Sequence, residues 1–138
     1  SNNLETLKQK DKVFEALISL ACSTVAHSDR GLLRFVEART GKTVKEFHWT
    51  LGDKRSDNAV TIGNKELLRC DSLPKRVMQT GHNLVIAASD RVAPIRAFLV
   101  IAEVHKDTAE NISILQSIVD QGQLFLKYLF GDLSKKYA

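Results

Sequence analysis

Ser72–Lys106 reads SLPKRVMQTGHNLVIAASDRVAPIRAFLVIAEVHK, and the fold turns on how its parts are taken. Ser72 suits an N-cap and Pro74 the first turn of a helix, where a missing N–H costs little. Gly81 stands where a left-handed residue would end that helix. The stretch thus predicts a helix from Ser72 to Gly81, followed by two strands. Val85–Ala87 and Phe98–Val104 are too apolar and β-branched to be surface loops. The strand from Ile95 to Val104 sets Phe98, Val100, Ala102 and Val104 against Leu99, Ile101 and Glu103. Both faces are nearly apolar, which puts that strand in the middle of its sheet.

Upstream, Leu4 to His27 reads as one long helix. Leu4, Leu7, Phe14, Ile18, Ala21 and Val25 fall on heptad a/d positions, interrupted by Asp11, and Val13, Leu17, Leu20 and Thr24 form a second stripe. A helix apolar on two sides has two things to cover, here a sheet and another helix. Ser28–Gly31 breaks the helix, Leu32–Ala38 is a strand, and Arg39–Lys42 is a tight hairpin turn. On the returning strand, Val44–Leu51, alternation puts Phe47, Trp49 and Leu51 on the face expected to point inward and Val44, Glu46, His48 and Thr50 on the other. Gly52–Asn58 is an aperiodic polar loop. Val60–Ile62 allows a short strand, and Lys65–Leu68 a helical turn.

Downstream, Asp107 with Glu110 resembles a capping box for a last helix that ends at Gly131. Ile112, Leu115, Val119, Gly122, Leu126 and Leu129 keep an a/d heptad, and Ile114, Ile118 and Phe125 form a second stripe. The sum is one α+β domain over residues 1–138. An N-terminal helix (1–27) and a C-terminal helix (107–131) pack on one side of a central antiparallel sheet of about five strands, with a connecting helix, in 28–106.

Composition narrows the function. The 138 residues carry 20 Lys plus Arg against 16 Asp plus Glu, a net +4 with no block of like charges, so no direct nucleic-acid binding is expected. No segment is long and apolar enough for a membrane span, and no signal peptide is visible. Cys22 and Cys70 make no disulfide framework, which points to the cytoplasm. Without an initiator Met, the chain reads as a piece of a longer protein.

His27, His48, His82 and His105 are scattered, and the cysteines do not complete a tetrahedral set, so no metal or cofactor is expected. There is no phosphate-binding glycine loop, nucleophile elbow or H-E-x-x-H. The chain does not read as an enzyme. Phe47 and Trp49 are either core of a half-buried strand or the lining of a pocket, with Arg34, Arg69 or Arg91 as polar anchors for a small molecule.

Four pieces, in order, resemble GAF domains. AHSDRGLLRFVEARTGK (26–42) is similar to the helix end, turn and first strand, and VKEFHWTLG (44–52) to the second strand. SLPKRVMQTGHNLVIAASD (72–90) resembles a helix stopped by TG and the following strand. RAFLVIAEVHKDTAENISILQSIVDQGQLFLKYLF (96–130) resembles the last strand and helix. The resemblance implies a sensory or regulatory module of a signalling or transcription-regulating protein, like those found upstream of activators, cyclases and kinases. The pattern departs from the family in the short connector between Ala88 and Phe98, which trims the sheet. No Cys follows Cys70 to hold a bilin, and the methionine sulfoxide reductase branch needs more cysteines. PAS and roadblock folds are the architectural alternatives.

Two readings follow. One is a sensor that binds a small molecule or a partner and signals through its terminal helices. The other is a ligand-free dimerisation or interaction module with a filled core. Either is expected to form a homodimer on Leu7, Phe14, Ile18, Ile112, Leu115, Val119, Gly122 and Leu126, and to contact other domains of the parent protein.

Overall fold

The computed structural model describes residues 2–52, 60–104 and 110–131, with the side chains of residues 2–4 and 7 outside that description. Helix α1 is Asn2–Ser19 and continues as a π-helical segment, Leu20–Val25. Strands β1 (Arg30–Glu37) and β2 (Thr43–Thr50) form a hairpin, and helix α2 is Asn64–Ser72. Strands β3 (Val77–Thr80), β4 (Asn83–Ala87) and β5 (Ile95–Ile101) follow, and helix α3 is Ile112–Phe130. The sheet order is β2-β1-β5-β4-β3, with every neighbouring pair antiparallel. The α+β class and five-stranded antiparallel sheet expected from the sequence are found.

β5 occupies the middle of the sheet, as its two apolar faces require. Ile95, Ala97, Leu99 and Ile101 join one core, and Phe98, Val100 and Ala102 join the other. The first core combines Phe14, Ile18 and Ala21 with Leu33, Phe35 and Ile86 of the sheet and Leu115, Val119 and Leu126 of α3. The second combines Val60, Ile62, Leu67 and Cys70 with Leu32, Val36 and Val85. Two-residue alternation along the strands keeps the two cores apart. Gly31 is where the π-helical segment crosses β1. A Cβ there would lie 2.4 Å from Cys22 Sγ and 2.8 Å from the Val100 carbonyl, so only glycine admits the contact.

The expected helix from Ser72 to Gly81 is corrected. Helix α2 lies one element earlier, driven by Leu67 and Cys70, both fully buried. Ser72 ends it rather than starting it, with its hydroxyl donating to the Arg69 carbonyl at 2.7 Å. Val77–Thr80 is a strand paired with β4, because β-branched residues beside the apolar Leu84–Ala87 run gain more from a ladder than from one more helical turn. The loop is Gly81-His82, with Gly81 at φ +60 and no positive φ at His82, the pattern of a type II′ hairpin turn.

Smaller corrections follow the same logic. Residues 60–62 carry no strand, although Val60 and Ile62 are buried. Leu51 lies just past β2 and is exposed, while Val44, expected on the outer face, packs on the first core. The register shifts between Phe35 and Val36, and that bulge turns Val44 inward. The cap expected at Asp107 and residues 53–58 of the polar loop lie outside the described residues.

Candidate functional site

The five expected ligand residues do not converge. Phe47 is buried in the first core beside Phe14, at a ring separation of 4.2 Å, and Trp49 packs partly buried against the same core. Arg34 points to the opposite face, because it stands opposite Glu46 in the β1–β2 register and Phe47 stands opposite Leu33. There Arg34 is buried and engaged through Nε and Nη1. Its Nε donates to Glu46, and its Nη1 donates to the Ile62 carbonyl (2.6 Å) and Asn64 Oδ1 (3.0 Å). Asn64 in turn donates to the Gly41 carbonyl and Thr43 Oγ1, both at 2.9 Å. Arg34 therefore stitches the entry to α2 onto the β1–β2 hairpin. Arg69 is exposed on α2 with Nη2 3.3 Å from Met78 Sδ, and Arg91 reaches the Leu73 and Pro74 carbonyls from the β4–β5 loop.

Glu46 bridges Arg34 and His48. Burial works to raise its carboxyl, but hydrogen bonds from His48 and Arg34, with the Arg34 charge, outweigh it and hold the group below its usual 4.5. A depressed carboxylate stabilises the fold above the unfolded-state value and loses that contribution as pH falls through the folded-state value. Glu46→Gln is therefore expected to show a shallower fall of melting temperature on acidification below about pH 4.5 than the unmodified chain. Equal slopes in paired thermal titrations would contradict this.

The heptad residues expected at a dimer seam are spent inside the chain. Phe14, Ile18, Leu115 and Val119 are 0% exposed and Leu126 is 4% exposed, all against the protein's own sheet. Gly122 brings α3 close to β1. A Cβ there would lie 3.0 Å from Leu33 Cδ2 of β1 and 3.7 Å from Leu17 Cδ1 of α1, so its neighbours belong to its own chain. Ile112 is partly buried on the same core, and the side chain of Leu7 lies outside the described set. The seam assignment is corrected: a 3.5-residue apolar stripe is also what a helix shows when it lies on a sheet.

What the helices present outward is different. The exposed large apolar side chains among the described residues are Leu20, Leu51, Val92, Ile114, Leu124 and Tyr128. Ile114, Leu124 and Tyr128 share one exposed stripe of α3 with Ser117 and Gln121, and Leu20 lies on the segment that extends α1. This stripe is legible in the sequence as the same three-and-four spacing, displaced from the buried one.

Two further features were not read from the sequence. Between α3 and the β4–β5 loop lies an open groove of about 410 Å³, walled by Ala93, Pro94, Ile95 and Leu124. Two of its polar groups are engaged locally, with Gln123 donating to the Ile95 carbonyl (2.8 Å) and Asp120 accepting from both the Ser89 N–H and hydroxyl (2.7 Å each). At the end of α2, Asp71 accepts from Arg76 on one oxygen and from Arg96 on the other.

The thiols sit in different cores, which excludes a bridge between them across the sheet. Burial pushes Cys22 up to about 12, with Asp29 adding to it, and pushes Cys70 up to about 11. Both are protonated at neutral pH and poor nucleophiles. No group of three or more His, Cys, Asp or Glu is placed to hold a metal among the described residues, and none of the described helices is long and apolar enough to cross a membrane. Comparison with family models, characterised proteins and solved structures finds no match to this chain.

Proposed function

We propose that the chain is a non-catalytic regulatory domain of GAF-like build, part of a larger cytoplasmic signalling or transcription-regulating protein. It acts as an association module, pairing with a second copy through the outer surfaces of its terminal helices. The GAF-like part draws support from the five-stranded antiparallel sheet and from the shared core of the long first and last helices. One observation carries the association reading. Among the described residues, four of the six exposed large apolar side chains, Leu20, Ile114, Leu124 and Tyr128, lie on those helices or the segment that extends the first. Apolar side chains repeating on one exposed helix stripe suit a helical partner.

This choice favours the interaction module over a pocket-bearing sensor on Phe47 and Trp49. Those aromatics fill a core, and the arginines expected beside them lie elsewhere. In the full-length protein, a change at one end of the paired helices would shift the population of their arrangements.

Sedimentation equilibrium tests the reading. The chain is expected to be a dimer, and Leu124→Glu with Tyr128→Glu a folded monomer. Both side chains are exposed, so the melting temperature of the monomeric form should barely move. A chain that sediments as a monomer at every concentration, or a double variant that remains dimeric, would overturn it.

A further inference from the structure

Where the end of α2, the β4–β5 loop and the β1–β2 turn meet, the protein gathers arginines faster than carboxylates. The Arg76 side chain is 5% exposed and the Arg96 side chain 16%, and the single carboxylate between them, Asp71, has each oxygen committed to one of them. Two nearly buried guanidiniums thus share one negative charge. An uncompensated cation of this kind is costly in a low-dielectric surrounding and raises the affinity of the site for an anion.

The remaining donors say where that anion would sit. Arg76 has each of its three nitrogens committed, with Nε on the Ala88 carbonyl, Nη1 on the Asp71 carbonyl and Nη2 on the Asp71 carboxylate. Arg91 is turned to the Leu73 and Pro74 carbonyls. Arg96 is fixed by its Nε on the Ala93 carbonyl (2.6 Å) and its Nη1 on Asp71, which leaves Nη2 without a partner among the described residues. Arg96 lines an open cavity of about 380 Å³ at the surface with Val92, Ala93 and Pro94, and Arg39 lines it from the β1–β2 turn.

The other charged group in this cavity is Glu37. Its carboxylate accepts from the Thr40 N–H in the hairpin turn, and that bond, aided by the Arg39 charge, holds it ionised against its burial. Asp90 is likewise engaged, with Oδ1 accepting from the Val92 and Ala93 N–H groups at 2.9 and 3.1 Å. Counting Glu37 and Asp71 against Arg39, Arg76 and Arg96, the site keeps an excess of one positive charge.

We propose that this cavity binds the phosphate group of a small phosphate ester, held between Arg39 and Arg96. The two arginines line the cavity from different elements, Arg39 from the β1–β2 turn and Arg96 from β5, so an anion between them can be reached from two sides. A tetrahedral oxyanion can accept from both, whereas a planar carboxylate matches a single fork. The cavity exceeds the phosphate group itself, and Val92, Ala93 and Pro94 offer apolar wall to a small organic body. The site is separate from the outer helix surface, and it stands or falls independently of dimerisation.

The test is calorimetric titration with inorganic phosphate and with phenyl phosphate, against sodium chloride at equal ionic strength. Both should bind where chloride does not, phenyl phosphate more tightly. Arg39→Gln, at an exposed position that leaves the Asp71 network intact, should weaken both by about tenfold or more. Arg96→Lys keeps the charge but loses the fork, and should weaken binding with the melting temperature as the check on folding. Vesicles of phosphatidylcholine doped with phosphatidic acid separate a free ester from a lipid headgroup. Phosphate binding no stronger than chloride, undiminished affinity in Arg39→Gln, or binding to the vesicles alone would overturn the proposal.

Discussion

Replacing Asp71 with alanine is expected to cost about 3–5 kcal/mol of folding stability, because it strips the counter-charge from two nearly buried arginines at once. The arithmetic is lopsided. The intact site holds Arg76, Arg96 and one carboxylate that is itself only 12% exposed. Without it, Arg76 keeps two carbonyl acceptors but no charge partner, and Arg96 keeps one carbonyl. Hydrogen bonds to neutral carbonyls recover only part of the lost hydration of a guanidinium.

The double variant Asp71→Ala, Arg76→Met separates charge burial from mere loss of contacts. If the orphaned cation is the main cost, removing it should make the double variant more stable than Asp71→Ala alone. A simple sum of lost contacts predicts the opposite order. Urea unfolding of the wild type, both single variants and the double variant decides between them, with unchanged m-values as the condition for comparing midpoints. A double variant less stable than Asp71→Ala would show that Arg76 matters chiefly through its bonds to the Ala88 and Asp71 carbonyls.

This network also marks a limit of what the sequence discloses. Asp71, Arg76 and Arg96 belong to α2, the α2–β3 connector and β5, and only the fold brings them together. By contrast, β5 was legible as central, since apolar residues at every position from Ala97 to Ala102 leave no face for water. The β1–β2 turn was legible from its Thr-Gly pair between two alternating runs.

The stretch from Ser72 to Gly81 misled because cap chemistry and strand propensity pointed to different structures there. Ser72 and Pro74 suit a helix start, whereas Val77 and Thr80 suit a ladder, and pairing with β4 decided the outcome. Arg34 and the Phe47–Trp49 pair were grouped although they occupy opposite faces. Alternation along β2 already separated Phe47 from Glu46, but the face of Arg34 relative to Phe47 depends on the register of β1 against β2, which no local pattern specifies. The terminal helices show the remaining ambiguity. Their heptads marked a buried stripe correctly, but not whether the chain's own sheet or a second copy covers it.

Phe14→Ala addresses that last ambiguity and carries the other large effect, about 3–5 kcal/mol. Phe14 is fully buried, stacks on Phe47 at 4.2 Å and 8°, and meets Phe35 edge-on at 5.8 Å and 80°. Its third aromatic neighbour is Phe130 at 6.0 Å, whose ring also lies under Lys45 Nζ at 4.4 Å. One side chain thus ties α1 to β1, β2 and the end of α3, so its removal opens a cavity bounded by four elements that cannot all close on it. Aromatic pairing adds to the transfer and cavity costs, which places the effect in the upper part of the range. At this chain length the melting temperature should fall by roughly 10–20 °C. The dependence on concentration distinguishes core from interface. A residue of the chain's own core lowers stability equally at all protein concentrations, whereas a residue at a subunit seam loses its effect as the protein is diluted into monomer. Thermal unfolding across a dilution series should therefore give the same difference between Phe14→Ala and wild type throughout. A difference that shrinks on dilution would return Phe14 to an interface between copies.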